Sequence, residues 1–139
     1  MEEDGDYYVW EKGQDLTLSK FFSTGEFSCH CDHLECKKQK ISKTLITRLD
    51  TLRTQSNQPL RITSAYRCAF YQTYLRNTGV NTVVAKKSTH ELGDAADVQP
   101  KDKNIGAFLK LAEKQFDSIG TAATFLHLDL RVGYRRWKY

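Results

Sequence analysis

Phe125-Leu126-His127-Leu128-Asp129-Leu130-Arg131-Val132 sets an apolar residue at every second position from Leu126 to Val132, the period of a half-buried strand. In an extended chain Leu126, Leu128, Leu130 and Val132 point one way, while Phe125, His127, Asp129 and Arg131 point the other. One face of this strand is core and the other carries chemistry.

Upstream, residues 41–56 place Ile41, Leu45, Leu49 and Leu52 at helical spacing, which predicts an amphipathic helix packed on a sheet. Asn57-Gln58-Pro59 stops it. Residues 60–64 alternate and are predicted as a short strand that delivers Ala65-Tyr66-Arg67-Cys68 at its end. Residues 70–77 read as a helix ending at Gly79, 81–88 as a loop, and 94–98 as a second short strand. Residues 104–116 carry Ile105, Phe108, Leu109, Ala112 and Phe116 at the helical interval, before Gly120 and the small residues 121–124 interrupt the pattern. The first twenty residues scatter Tyr7, Tyr8 and Trp10 without a period and are expected to wrap over the domain. Strands and helices in no regular alternation predict an α+β fold, an antiparallel sheet with helices packed against it. The chain has no glycine-rich phosphate loop, which argues against a dinucleotide fold.

At 139 residues the chain is expected to be a single domain, with 1–15 as an N-terminal extension and 133–139 as a basic-aromatic tail. The formal net charge is only +4, and part of the excess sits in that tail. Such a tail suits an anionic envelope polymer, nucleic acid or simply solvent. Tyr134, Trp137 and Tyr139 interleave with its cations as base-stacking residues would, yet the run is short and the chain nearly balanced, so no nucleic-acid partner is expected. The acidic start Met1-Glu2-Glu3-Asp4 lacks the order of a secretory signal, and no apolar run has the length of a membrane span. These features predict a monomer made in the cytoplasm and reaching any target outside it by another route. Of the four cysteines, Cys29, Cys31 and Cys36 cluster around His33 and suggest a small structural metal site, although the spacing matches no standard finger closely. Disulfides, one of them using Cys68, and buried reduced thiols are the alternatives.

A second stretch, Ser88-Thr89-His90-Glu91-Leu92-Gly93-Asp94-Ala95-Ala96-Asp97, complements the strand at 125–132. His90 and Asp97 are seven positions apart, a separation suited to a loop entering a strand. Gly93 supplies the backbone angles such a loop needs, and the two alanines admit a close neighbour. His127 arrives from the other strand, and Asp129 on the same face can accept a hydrogen bond from an imidazole and orient it. Two histidines and one aspartate with a fourth position open suit a hydrolytic zinc ion.

Thr63-Ser64-Ala65-Tyr66-Arg67-Cys68, then Ser88-x-His90-x-x-Gly93-x-Ala95-x-Asp97, then Phe125-Leu126-His127-Leu128-Asp129-Leu130-Arg131 together resemble the zinc D-Ala-D-Ala carboxypeptidase and phage L-alanyl-D-glutamate endopeptidase group. The hedgehog signalling domain shares that metal scaffold. The likeness runs from about residue 16 to 132, beginning with Leu18-Ser19-Lys20-Phe21-Phe22-Ser23-Thr24-Gly25-Glu26-Phe27-Ser28-Cys29. It implies a hedgehog-like fold, with His90, Asp97 and His127 as zinc ligands. It also implies that Arg67 binds substrate and steadies the tetrahedral oxyanion, and that Ser88 lines the substrate pocket. Many relatives carry a catalytic acid three positions before the last histidine ligand, where this chain has Thr124. Asp129 is the nearest acid on the proper face and is the candidate general base, in competition with its orienting role. Glu91 and Asp94 are weaker candidates.

The resemblance implies a peptidase acting on the stem peptides of peptidoglycan, as a phage lytic enzyme or a D,D-carboxypeptidase working at the bacterial wall. Zinc would acidify water and polarise the scissile carbonyl, and Arg67 would oppose charge developing on its oxygen. The alternative is a zinc-stabilised module for wall binding, virion structure or protein interaction that has lost catalysis, an alternative that Thr124 keeps open.

Overall fold

The computed structural model describes residues 1–78 and 88–139. Two sheets organise it. The first comprises β1 (Glu2–Asp4), β2 (Tyr7–Glu11) and β3 (Lys38–Ser42), all antiparallel, with the turn between β1 and β2 opened by Gly5 at φ +57°. The second has the order β4-β5-β7-β6-β8, from β4 (Leu60–Ser64), β5 (Ala95–Pro100), β6 (Ser118–Thr121), β7 (Leu126–Asp129) and β8 (Arg135–Lys138). Its pairs are antiparallel except the last, since β6 and β8 run parallel. Among the described residues three α-helices complete the α+β fold: α1 (Lys43–Ser56), α2 (Ala69–Thr78) and α3 (Ile105–Ala112).

Side-chain parity explains the layering. On β5, β6 and β7 the residues Ala96, Val98, Ile119, Leu126 and Leu128 share one face and are fully buried in one cluster with Leu45, Leu49 and Leu52 of α1 and Phe108 and Ala112 of α3. Each large apolar side chain among them contributes about 1.5–3 kcal/mol by leaving water. Helix α1 starts where the Ser42 hydroxyl accepts from Leu45 N at 3.3 Å and stops at Asn57, which adopts the left-handed conformation at φ 49°. Asn104 caps α3 in the same way, accepting from Ala107 N at 3.2 Å.

The structure departs from the sequence expectations at several edges. Ile41 belongs to β3 rather than to the helix, and α3 is shorter than the span 104–116, although Phe116 beyond its end is still buried. The strand at 125–132 is regular only through Asp129; Leu130 still packs against the core, but Val132 is 80% exposed. Residues 2–11, expected only to wrap over the domain, form a hairpin that pairs with β3. Gly120 and Thr121, expected only to interrupt the pattern, lie in β6, and the aromatic tail forms β8. The loop expected at 81–88 and the helix end at Gly79 lie outside the described residues, apart from Ser88.

Candidate metal centre

The face of the second sheet opposite the core carries the polar residues. Register aligns Ser64 of β4 with Asp97 of β5, Asp97 with His127 of β7, His127 with Gly120 of β6, and Gly120 with Trp137 of β8. Directly opposed residues share a face, so this row delivers a carboxylate and an imidazole side by side. His90 reaches the same place from a turn over residues 88–94. Gly93 allows that turn, at φ +75°, and a side chain there would meet Lys40 O at 3.1 Å. The first sheet braces the turn from outside. Ser42 N donates to Gly93 O at 2.8 Å, and the Tyr7 hydroxyl donates to Asp94 Oδ1 at 2.7 Å. The N-terminal hairpin thereby helps hold the loop that carries His90.

The three side chains converge on one point. Asp97 Oδ1 lies 3.3 Å from His90 Nε2 and 3.0 Å from His127 Nδ1, and ligand atoms of all three fall within 4.8 Å of one another. A tetrahedral zinc ion with ligands at about 2.0–2.1 Å spaces them about 3.3 Å apart. The remaining ring nitrogens fix the tautomers. His90 Nδ1 faces the carbonyl of Ala65 at 2.6 Å, and a carbonyl only accepts, so the proton is on Nδ1 and the Nε2 lone pair faces Asp97. His127 Nε2 donates to Asp129 Oδ2 at 2.8 Å, which turns Nδ1 toward Asp97. These residues fit zinc in number, chemistry and orientation, and three protein ligands are one fewer than the four positions zinc usually fills.

Electrostatics follow from burial and pairing. Burial alone would raise the Asp97 carboxyl, but the two imidazoles outweigh it and hold the group far below the usual carboxylate range. Burial pushes His90 down, favouring the neutral ring a metal needs. Burial would also lower His127, but Asp129 and Asp97 on its two nitrogens hold it above its ordinary value. A proton and a metal ion therefore compete for the position between His127 and Asp97.

Arg67 sits at the start of the segment leaving β4. Its Nη2 donates to Asp97 Oδ2 at 3.3 Å, its Nε to Ser64 Oγ at 3.0 Å, and its backbone N to His90 O at 3.2 Å. The guanidinium is buried beside the metal position, bonded to the carboxylate oxygen that does not face the imidazoles. The Ser88 hydroxyl is also buried and accepts from His90 N at 3.1 Å.

Asp129 is fully buried, and its two oxygens take four donors. Oδ2 receives His127 Nε2 and Arg131 Nη2 at 2.8 and 3.0 Å, and Oδ1 receives Arg131 N and Nε at 3.0 and 3.1 Å. Burial would raise this carboxyl too, but those bonds hold it far below its usual range. It meets His127 on the ring nitrogen that faces away from Asp97. Asp94 is bonded by Tyr7, and Glu91 lies part-exposed on the turn.

One neighbour escaped sequence reasoning. The Trp137 ring lies 5.3 Å from that of His127, Arg131 sits over its face at 5.4 Å, and Tyr139 follows at 6.4 Å. Gly120 makes this possible, because a Cβ there would lie 2.5 Å from the indole. The sequence signal was weak: only Trp137-Lys138-Tyr139 alternates, too short a run to read as a strand.

Comparison with known families finds that the model described as Peptidase M15 matches residues 20–129. Comparison with curated proteins finds no match. The matched stretch contains Arg67, Ser88, His90, Asp97 and His127 and ends on Asp129, while the N-terminal hairpin and β8 lie outside it.

Proposed function

The chain belongs to the Peptidase M15 family of zinc metallopeptidases, and from that premise we propose that it hydrolyses a peptide bond in the stem peptide of peptidoglycan. His90, Asp97 and His127 would hold the zinc ion. The observation that carries this reading is the convergence of His90 Nε2, Asp97 Oδ1 and His127 Nδ1, with each imidazole fixed through its other nitrogen. The resemblance of the Ser88 to Asp97 motif to wall-lytic enzymes supports the substrate class, and with it a phage-type endopeptidase or a D,D-carboxypeptidase acting at the bacterial wall. No helix among the described residues is long and apolar enough to cross a membrane.

Bound zinc supplies a Lewis acid that polarises a carbonyl and makes water acidic near neutral pH. The chain's own groups do the rest. Ala65 O and Asp129 keep the two imidazoles in the ligating tautomers, and Ser64 and Asp97 hold the Arg67 guanidinium at the edge of the centre. From there its positive charge opposes the negative charge that develops on the carbonyl oxygen of a peptide under attack. Asp129, with every oxygen already bonded, orients His127 and is not the base. Trp137 and Tyr139 wall the position beside His127 and offer apolar surface to a peptide, and Ser88 steadies the backbone of the turn that carries His90.

Mass analysis of muropeptides tests the proposal. New amino and carboxyl termini should form in stem peptides, stop with a zinc chelator and return with zinc. Stem peptides left intact across a broad panel of wall chemistries would sink it. Thr124, standing where many relatives carry an acid, favours a second reading in which the domain binds wall without cutting, and wall retention with no new termini would be its signature.

A further inference from the structure

A second group of metal-ligating side chains lies outside the His–Asp–His centre. Cys29, Cys31 and Cys36 come from the segment 28–37, which has no regular structure, and Cys68 comes from the residue directly before α2. All four are free, and their sulfurs lie within 4.8 Å of one another. The Cys68 sulfur is 3.8 Å from that of Cys29 and 3.5 Å from that of Cys31. A disulfide needs about 2.05 Å, whereas four thiolates around a tetrahedral zinc ion at about 2.3 Å are spaced about 3.8 Å apart. His33, grouped with the first three cysteines by spacing, is exposed and stacks on Phe70 at 3.8 Å. The fourth sulfur comes from Cys68 instead.

The surroundings point the same way. Each sulfur faces one N–H donor: Cys29 that of Cys68 N at 3.4 Å, Cys31 that of Lys12 Nζ at 3.4 Å, Cys36 that of Gln39 Nε2 at 3.4 Å, and Cys68 that of Tyr71 N at 3.5 Å. A neutral thiol is a weak acceptor, and one donor aimed at every sulfur is what thiolates require. Lys12 also bonds the carbonyl of Cys31, placing an ammonium at the edge of the cluster, and the N-terminus of α2 adds partial positive charge at Cys68.

We propose that Cys29, Cys31, Cys36 and Cys68 form a structural zinc site distinct from the hydrolytic centre. Four thiols release four protons to solvent and bind one Zn2+ with no change of oxidation state, leaving a net charge of −2 that Lys12 and the N–H donors offset. Four protein ligands leave no open position, so the ion has a structural rather than a catalytic role. Its effect is to tie the segment 28–37 to the start of α2, one residue beyond Arg67. The Tyr66 N bond to Phe27 O at 3.0 Å runs alongside that tie.

Metal analysis and spectroscopy of the whole chain test this. Zinc-replete protein should hold two zinc ions per chain, and titrating its thiols with an organic mercurial should release one of them. Cobalt reconstitution should give the intense thiolate-to-cobalt charge-transfer band of a tetrathiolate site. His90→Gln should keep that band, and Cys31→Ser should lose it together with one zinc ion. The wild-type mercurial and cobalt measurements need no variant, so a misfolded Cys31→Ser chain leaves the test intact. Any of three results would overturn the site: thiols of the zinc-loaded protein reacting as freely as in denaturant, an intact mass showing a disulfide, or no charge-transfer band. None of these depends on hydrolysis, so the peptidase reading can fail without this one.

Discussion

The histidine–aspartate centre and the cysteine cluster place their ligands by different means. Asp97 and His127 are opposed on neighbouring strands of a five-stranded sheet, their directions set by backbone register and by the buried core behind them. Three of the four cysteines hang on ten residues without a ladder, and only Cys68 adjoins a regular element. The first site is built by the fold, so a metal finds its ligands waiting. In the second, scattered bonds such as Cys29 N to Gln39 Oε1 and Cys36 N to His33 O stand in place of a ladder, and the metal adds a tie that no strand register supplies.

The largest effect should come from the residue on which the first site turns. Asp97 faces both imidazoles through Oδ1 and accepts from Arg67 on Oδ2, and its loss strands a buried guanidinium. Asp97→Ala should abolish zinc-dependent hydrolysis and cost about 3–5 kcal/mol in urea unfolding, the usual result of removing one partner of a buried pair. Chelation should divide the two regions. Hydrogen exchange should quicken in the segment 28–37 and in the first turn of α2 when zinc is stripped, while amides of β5 and β7 stay protected. Equal loosening of both would mean that the strands need metal as much as the loop does.

A smaller change isolates the support behind a ligand. Asp129→Asn keeps the shape but weakens the bond that orients His127, so zinc affinity should fall about 10–100-fold, with turnover recovering as zinc is raised. A general base would behave otherwise, losing kcat at every zinc concentration with affinity unchanged. A competition assay with a chromogenic chelator separates the two outcomes.

What the sequence made legible follows from the same contrast. Strand parity over 125–129 put His127 and Asp129 opposite the core, and helical spacing at Leu45, Leu49 and Leu52 and at Phe108 and Ala112 placed the buried face of both packed helices. The α+β class and the capacity for zinc were readable because periodicity and residue chemistry are local. Pairing partners are not. The N-terminal hairpin matters because Tyr7 meets Asp94, 87 residues away, and β8 because Trp137 lies against Gly120. No local pattern states such a contact. For Cys68 the chain offered a sulfur without an address, and spacing suggested His33 in its place. The competition between roles at Asp129 likewise needed the positions of Arg131 and of the two nitrogens of His127.

The smallest expected effect lies where the sheet meets the aromatic strand beyond the Peptidase M15 match. Trp137 leans on His127 across Gly120, an aromatic contact of a kind worth about 0.5–1.5 kcal/mol beyond the area it buries. Trp137→Leu should cost about that much in unfolding and raise KM for a stem peptide, with zinc stoichiometry unchanged, because the ligands are held by β5, β7 and the turn over residues 88–94 and not by the indole. Gly120→Ala should act in the same direction from the other side, since its methyl occupies the space the ring needs. If both act through this one contact, the double variant should be less destabilised than the two costs added together, because Trp137→Leu removes the ring that the new methyl would meet. Strict additivity would mean that the aromatic strand and the metal row are independent, and that the loop-held cluster rather than this edge is the closer support of the site.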